Sequence, residues 1–156
     1  MDRDHHFAVG LEWTGDRGEG TASYRGYGRQ NVARAPGKPE LLGSAAPVFH
    51  GDAGRWNPEE LLLAALSECH MLSYLHVAVR HGIVVTGYTD AATGTMRQLG
   101  DGGRFTVATL RPRVTIAAGD PALATRLHDE AAALCFIAAS VSFPVRHEPE
   151  TVLLPG

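Results

Sequence analysis

Asn57-Pro58-Glu59-Glu60-Leu61-Leu62-Leu63-Ala64-Ala65-Leu66-Ser67-Glu68-Cys69-His70-Met71-Leu72 is the stretch on which the fold turns. Asn57 is a good N-cap, because its side-chain oxygen can accept from an orphan backbone N–H. Pro58 suits the first helical position, where no N–H is needed. Glu59 and Glu60 face the positive end of the helix dipole, and Glu60 stands where a capping-box partner would. The apolar run continues to Val79, and Gly82 offers a stop. The spacing predicts a helix from Asn57 to His81, roughly 36 Å long at about 1.5 Å per residue. Its leucines and valines cover most of the circumference, which predicts burial on all sides. Glu68, His70, His76 and Arg80 interrupt the run and argue against a membrane span. Cys69 then sits inside a core helix, where a thiol is more often inert packing than chemistry.

The rest of the chain bounds the possibilities. At 156 residues it is the size of one domain, 1–156. A net charge of −3 and the lack of a basic run give no reason to expect nucleic-acid binding. Met1 to His6 is charged and lacks the apolar core of a signal peptide. The two cysteines lie far apart in sequence, so a cytoplasmic, reducing setting is expected. In such a setting a cysteine pair is more often redox-active or unrelated than a structural staple.

Outward from the helix, the pattern is strands, helix, strands, helix, strand. His6 to Trp13 alternates as a half-buried strand. The glycine-rich turn Gly15 to Gly20 leads to a return strand that starts at Thr21 to Tyr24 and extends toward Arg34, weakened by Gly26 and Gly28. A second turn at Ala35 to Pro39 precedes a short strand at Glu40 to Ser44. Ala45 to Trp56 is irregular and carries Phe49, His50 and Trp56. Those rings either cover the end of the core or wall a pocket beside Cys69. Ile83 to Leu99 and Arg104 to Ala118 read as one long hairpin, with Pro112 at a bulge or edge. Asp120 and Pro121 open a second helix, with Leu127, Ala131, Leu134 and Ala138 on one face and Cys135 beside them. Phe143 to His147 closes the fold as a strand, followed by a tail. This is an α+β fold with antiparallel pairing.

A reactive Cys69 needs help. A free thiol has a pKa of about 8.5, and apolar burial raises it. The helix dipole has faded this far into the helix. A cation must therefore stabilise the thiolate, at roughly 1.4 kcal/mol per pKa unit. Arg17, Arg25 and Arg29 are the candidates, although a turn arginine is ordinarily just solvated. Glu59 lies ten residues before Cys69, about 15 Å along the same helix. It can join a cysteine site only if that cysteine belongs to another subunit; otherwise it is a favourable first-turn carboxylate. The eight histidines show no metal-binding CxxC or HxxxH spacing. Ser67 and Ser73 lack a nucleophile elbow. A rival to catalysis is a binding protein in which the aromatic loop and Cys69–His70 hold a small ligand or a metal.

Three segments carry a resemblance: Trp13 to Thr21, then Asn57-Pro58-Glu59-Glu60-Leu61 with Cys69 ten beyond Glu59, then Cys135-Phe136-Ile137-Ala138. Together the chain resembles the OsmC/Ohr peroxiredoxin-like family. That resemblance implies an intertwined homodimer, with antiparallel sheets packed around two central helices. It implies thiol-dependent reduction of organic hydroperoxides, an antioxidant role in oxidative stress, and no cofactor or metal. By the same resemblance Cys69 is the peroxidatic cysteine and Cys135 the resolving one, joined as a disulfide during turnover. Glu59 is the family's glutamate, placed across the dimer interface, and Arg17 its arginine, with Arg29 in reserve. Phe49, Trp56 and His70 are expected in the substrate pocket. The reductant is expected to be a dithiol, of the lipoyl-bearing protein kind. The chain departs from the best-known members in Phe136, where they have proline, and in His70, where Phe is common. The loop Ser44 to Asp52 resembles a less characterised branch.

Overall fold

A computed structural model describes residues 3–155. The chain forms two compact units, Met1–Leu61 and Leu62–Gly156.

The first unit is built on an antiparallel sheet of β1 (Gly10–Trp13), β2 (Asn31–Arg34) and β3 (Leu41–Gly43), in that order. The return strand is therefore Asn31–Arg34, pairing Gly10 with Arg34 and Trp13 with Asn31, and not Thr21 to Tyr24 as the pattern predicts. The reason is a closed loop between them. Gly28 N–H donates to the Gly15 carbonyl at 2.7 Å, and the Trp13 indole N–H donates to the Gly28 carbonyl at 2.8 Å. A Cβ on Gly15 would lie 2.0 Å from the Gly28 oxygen, so only glycine permits this neck. The predicted half-burial of the first strand is also corrected. Phe7, Val9 and Leu11 are exposed, and only Gly10–Trp13 is strand. After β3 come a short 3-10 helix, Pro47–Phe49, and the start of α1 (Pro58–Arg80). The Asn57 side chain accepts from Glu60 N–H at 2.9 Å, as its sequence position demands.

In the second unit the predicted long hairpin exists but is broken into two arms. The outer arm pairs β4 (Val84–Asp90) with β7 (Pro112–Ala118), and the inner arm pairs β5 (Thr93–Leu99) with β6 (Gly102–Leu110). The break is chemical. Asp90 accepts from the Arg111 N–H at 2.6 Å, and the Arg111 guanidinium donates to Thr93 at 2.8 Å, so the corner replaces ladder bonds with side-chain bonds. The helix α2 (Pro121–Leu134) begins at Asp120, whose carboxylate accepts from the N–H groups of Ala122 and Leu123. A short α3 (Phe136–Ala139) follows. Cys135 lies at the junction of the two helices, not inside one helix as expected. Its Sγ caps α3 by accepting from Ala138 N–H at 3.4 Å.

Two further strands close the sheets. β8 (Val145–His147) pairs parallel with β6, and β9 (Glu150–Leu153) pairs parallel with β7. The predicted tail is thus an edge strand, and the pairing is mixed rather than wholly antiparallel. The core joins α1, the outer arm and α2 through Tyr74, Val77, Ile83, Val114, Ile116, Ala124, Leu127 and Ala131. By length and composition α1 could cross a membrane, yet its buried residues Leu66, His70, Tyr74, Val77 and Ala78 recur at core-helix spacing. Burial on all sides is not met within one chain. Leu72 is 56% and Val79 78% exposed.

Candidate functional site

The α1 face that the core leaves uncovered carries the thiol. Cys69, Leu72, Ser73 and His76 fall at i, i+3, i+4 and i+7, one stripe of a helix. With Leu134 and Phe136 from the other side they line a mostly apolar groove of about 420 Å³. Cys69 is half-buried in it, and Cys135 is buried behind it. Burial pushes the Cys135 thiol above its ordinary pKa; the Ala138 N–H opposes that rise, and the neighbouring Cys69 thiol adds to it. The sulfurs are neighbours, both free and not at disulfide distance, so the bridge that the resemblance implies is not formed in this structure. Phe136, directly after Cys135, is 80% exposed and forms one wall of the groove.

His70 goes elsewhere. It is fully buried on another side of α1, one member of a stack that no sequence spacing announces. Its Nε2 lies 2.9 Å from Nδ1 of His128, its ring centroid lies 4.3 Å from that of His147, and His128 stacks on Tyr74 at 4.0 Å. His70 Nδ1 and His128 Nε2 have no hydrogen-bond partner. Burial, with the neighbouring histidines adding to it, holds His70 down to about 3, and burial first of all takes His128 down to about 4. Both rings are therefore neutral at neutral pH. Among the described residues no group of three or more His, Cys, Asp or Glu side chains is arranged to hold a metal ion. The histidine that does line the thiol groove is His76. Its seven-residue spacing from Cys69 was the signal available in the sequence.

The remaining expected residues lie in the first unit. Arg17, Arg25 and Arg29 come together with Tyr27 and His50 around a polar pocket of about 280 Å³. Arg29 is locked. Its guanidinium donates to the carbonyls of Tyr27 at 2.6 Å and Tyr24 at 2.7 Å, and it lies over both tyrosine rings. Arg17 is exposed on the turn. Asp16 beside it is occupied, its carboxylate accepting from Gly18 and Gly20 N–H, which holds its pKa below the usual carboxylate value. Glu59, in the first turn of α1, has one buried carboxylate oxygen with no partner. Phe49 is half-buried in the 3-10 helix and Trp56 is 50% exposed; neither is among the residues lining the thiol groove.

The profile of the OsmC-like protein family matches residues 50–150. The chain belongs to the OsmC-like family. Among solved structures it is similar to an OsmC-like protein of unknown function from Vibrio cholerae, at 28% identity, with 94% of this chain and 99% of that one covered and a TM-score of 0.84. It shares the fold of an organic hydroperoxide resistance protein OsmC from Legionella pneumophila, at 16% identity, coverage of 95% and 98%, and a TM-score of 0.65. It shares it also with an organic hydroperoxide resistance protein from Elizabethkingia anophelis, at 17% identity, coverage of 97% and 100%, and a TM-score of 0.64. No functionally curated protein matches the sequence. The OsmC-like fold thus accounts for the α+β architecture, and its family includes peroxide-related proteins.

Proposed function

We propose that this OsmC-like chain, acting as one domain, is a thiol-dependent peroxidase that reduces organic hydroperoxides. The observation that carries the reading is the pair of free, neighbouring thiols, one opening into an apolar groove. The Cys69 thiolate attacks the terminal peroxide oxygen. An S–O bond forms, the O–O bond breaks, and the alkoxide leaves and takes a proton to become the alcohol. Cys69 is now a sulfenic acid. The Cys135 thiol displaces water from it, giving a disulfide, and a dithiol reductant reopens the bridge by exchange. The apolar lining of Leu72, Leu134 and Phe136 favours an alkyl peroxide over hydrogen peroxide.

Arg17 stabilises the thiolate in this reading, because two backbone carbonyls and two tyrosine rings tie Arg29 in place in its own unit. Glu59 holds that arginine, and its unpartnered buried oxygen supports the role: a buried carboxylate oxygen without a donor is costly and invites a guanidinium. The active form is a homodimer. Support comes from the uncovered apolar side of the second unit, where Leu72, Val79, Leu134 and Phe136 are exposed. The test is consumption of an alkyl hydroperoxide with a dithiol, by wild type and by Cys69→Ser. Loss of turnover in the variant is expected; equal rates would refute the proposal.

A further inference from the structure

Three arginines in one pocket are more than the thiol chemistry uses. We infer that the pocket of Arg17, Arg25, Arg29, Tyr27 and His50 is a binding site for a dianionic oxyanion of the phosphate type.

The first ground is charge. The chain as a whole is negative, at −3, yet this pocket gathers three guanidinium groups. Among the described residues no carboxylate pairs with any of the three; the ion pairs present involve Arg34, Arg55, Arg80, His81, Arg111 and Arg113. Of the two acids within the turn, Asp16 is turned onto the backbone N–H groups of Gly18 and Gly20, and Glu19 takes part in none of those ion pairs. The thiol reading engages Arg17 alone; Arg25 and Arg29 are drawn together beside it without a counter-charge, and a bound anion relieves their repulsion.

The second ground is preorganisation. Arg29 cannot swing away, because two carbonyls and two tyrosine rings hold its guanidinium. Those two bonds leave other N–H groups of its fork free to donate. His50 takes the left-handed conformation, φ 61°, and its ring stands edge-on to Tyr24 with centroids 5.4 Å apart. The loop neck at Gly15 and Gly28 holds both ends of the segment that carries Arg17 and Arg25. A guanidinium fixed before the ligand arrives loses little freedom on binding.

The third ground selects the ligand. A monocarboxylate carries one charge and two oxygens and satisfies one fork. A phosphate dianion or phosphomonoester carries nearly two charges and at least three acceptor oxygens, enough for several forks at once. The volume, about 280 Å³, exceeds what bare phosphate fills, and the Tyr27 ring gives a wall for a small organic group.

The experiment is calorimetric titration of the full chain with inorganic phosphate, phenyl phosphate and acetate, each at constant ionic strength set with chloride, since screening alone mimics weak binding. No peroxide or reductant is present, so failure here is separate from failure of the peroxidase reading. Saturable binding of phosphate or phenyl phosphate is expected, with acetate at least about tenfold weaker. Arg25 is exposed, and Arg25→Gln should weaken phosphate binding about tenfold, the size of one charge-assisted hydrogen bond. Tighter binding of phenyl phosphate identifies a phosphomonoester; equal affinity identifies free phosphate; both support the site. The inference is overturned if neither saturates, if acetate binds as tightly, or if Arg25→Gln binds unchanged.

Discussion

Acidification from pH 7 to pH 5 should destabilise this protein far more than its composition implies, and the buried histidine stack sets the amount. His70 and His128 are neutral when folded, held down to about 3 and about 4 chiefly by burial. Unfolded, each has the ordinary value of about 6.5. Their folded values are depressed, so the unfolded chain takes up protons first. The stability contribution is complete above about pH 6.5 and is lost as the pH falls toward the folded values. Between pH 7 and pH 5 the linkage relation gives about 2 kcal/mol per histidine, and about 4 kcal/mol for the pair. The result depends little on the exact folded values, because pH 5 lies above both. Protonation has no outlet in the stack. His70 Nδ1 and His128 Nε2 already lack partners, and in doubly charged rings two N–H groups would meet at the 2.9 Å contact. Asp129 and Asp90 favour the charged form of the third ring, His147, but burial outweighs them there too. The assay is urea unfolding at steps of pH between 7 and 5, at fixed protein concentration, with the m-value checked for constancy. The double variant His70→Gln/His128→Gln should remove most of the slope. A wild-type loss below about 1 kcal/mol, or the same slope in the double variant, would refute the reasoning.

Two further outcomes test the thiol site and the uncovered helix face. Cys135→Ser should keep one stoichiometric oxidation of Cys69 by peroxide, trapped as a sulfenic acid by mass spectrometry, while steady-state turnover with dithiol falls at least about tenfold. Leu72→Glu places a charge on the exposed apolar stripe and should shift the sedimenting species from about twice to about one times the 16.6 kDa chain mass; an unchanged wild-type mass of one chain would remove the homodimer.

The elements read correctly from sequence are those set by local chemistry. Asn57, Pro58, Asp120 and Pro121 cap and open their helices through bonds within three residues of themselves. The hairpin over residues 84–118 follows from two alternating runs and a glycine turn. The thiol groove is half legible in the sequence: Cys69 lines it, but the histidine beside it is His76 on the same stripe and not the adjacent His70. Neighbours in a helix point about 100° apart, so His70 had to face another side.

The chain alone determined its two capped helices and the central hairpin, because these depend on residues close in sequence. Tertiary structure decided the rest. The return strand is Asn31–Arg34 because Gly15 and Gly28 touch across a loop. Cys135 faces Cys69 from a helix break, and His70, His128 and His147 meet from α1, α2 and β8. Such meetings depend on which surfaces exclude water together, and no periodicity along one segment encodes that.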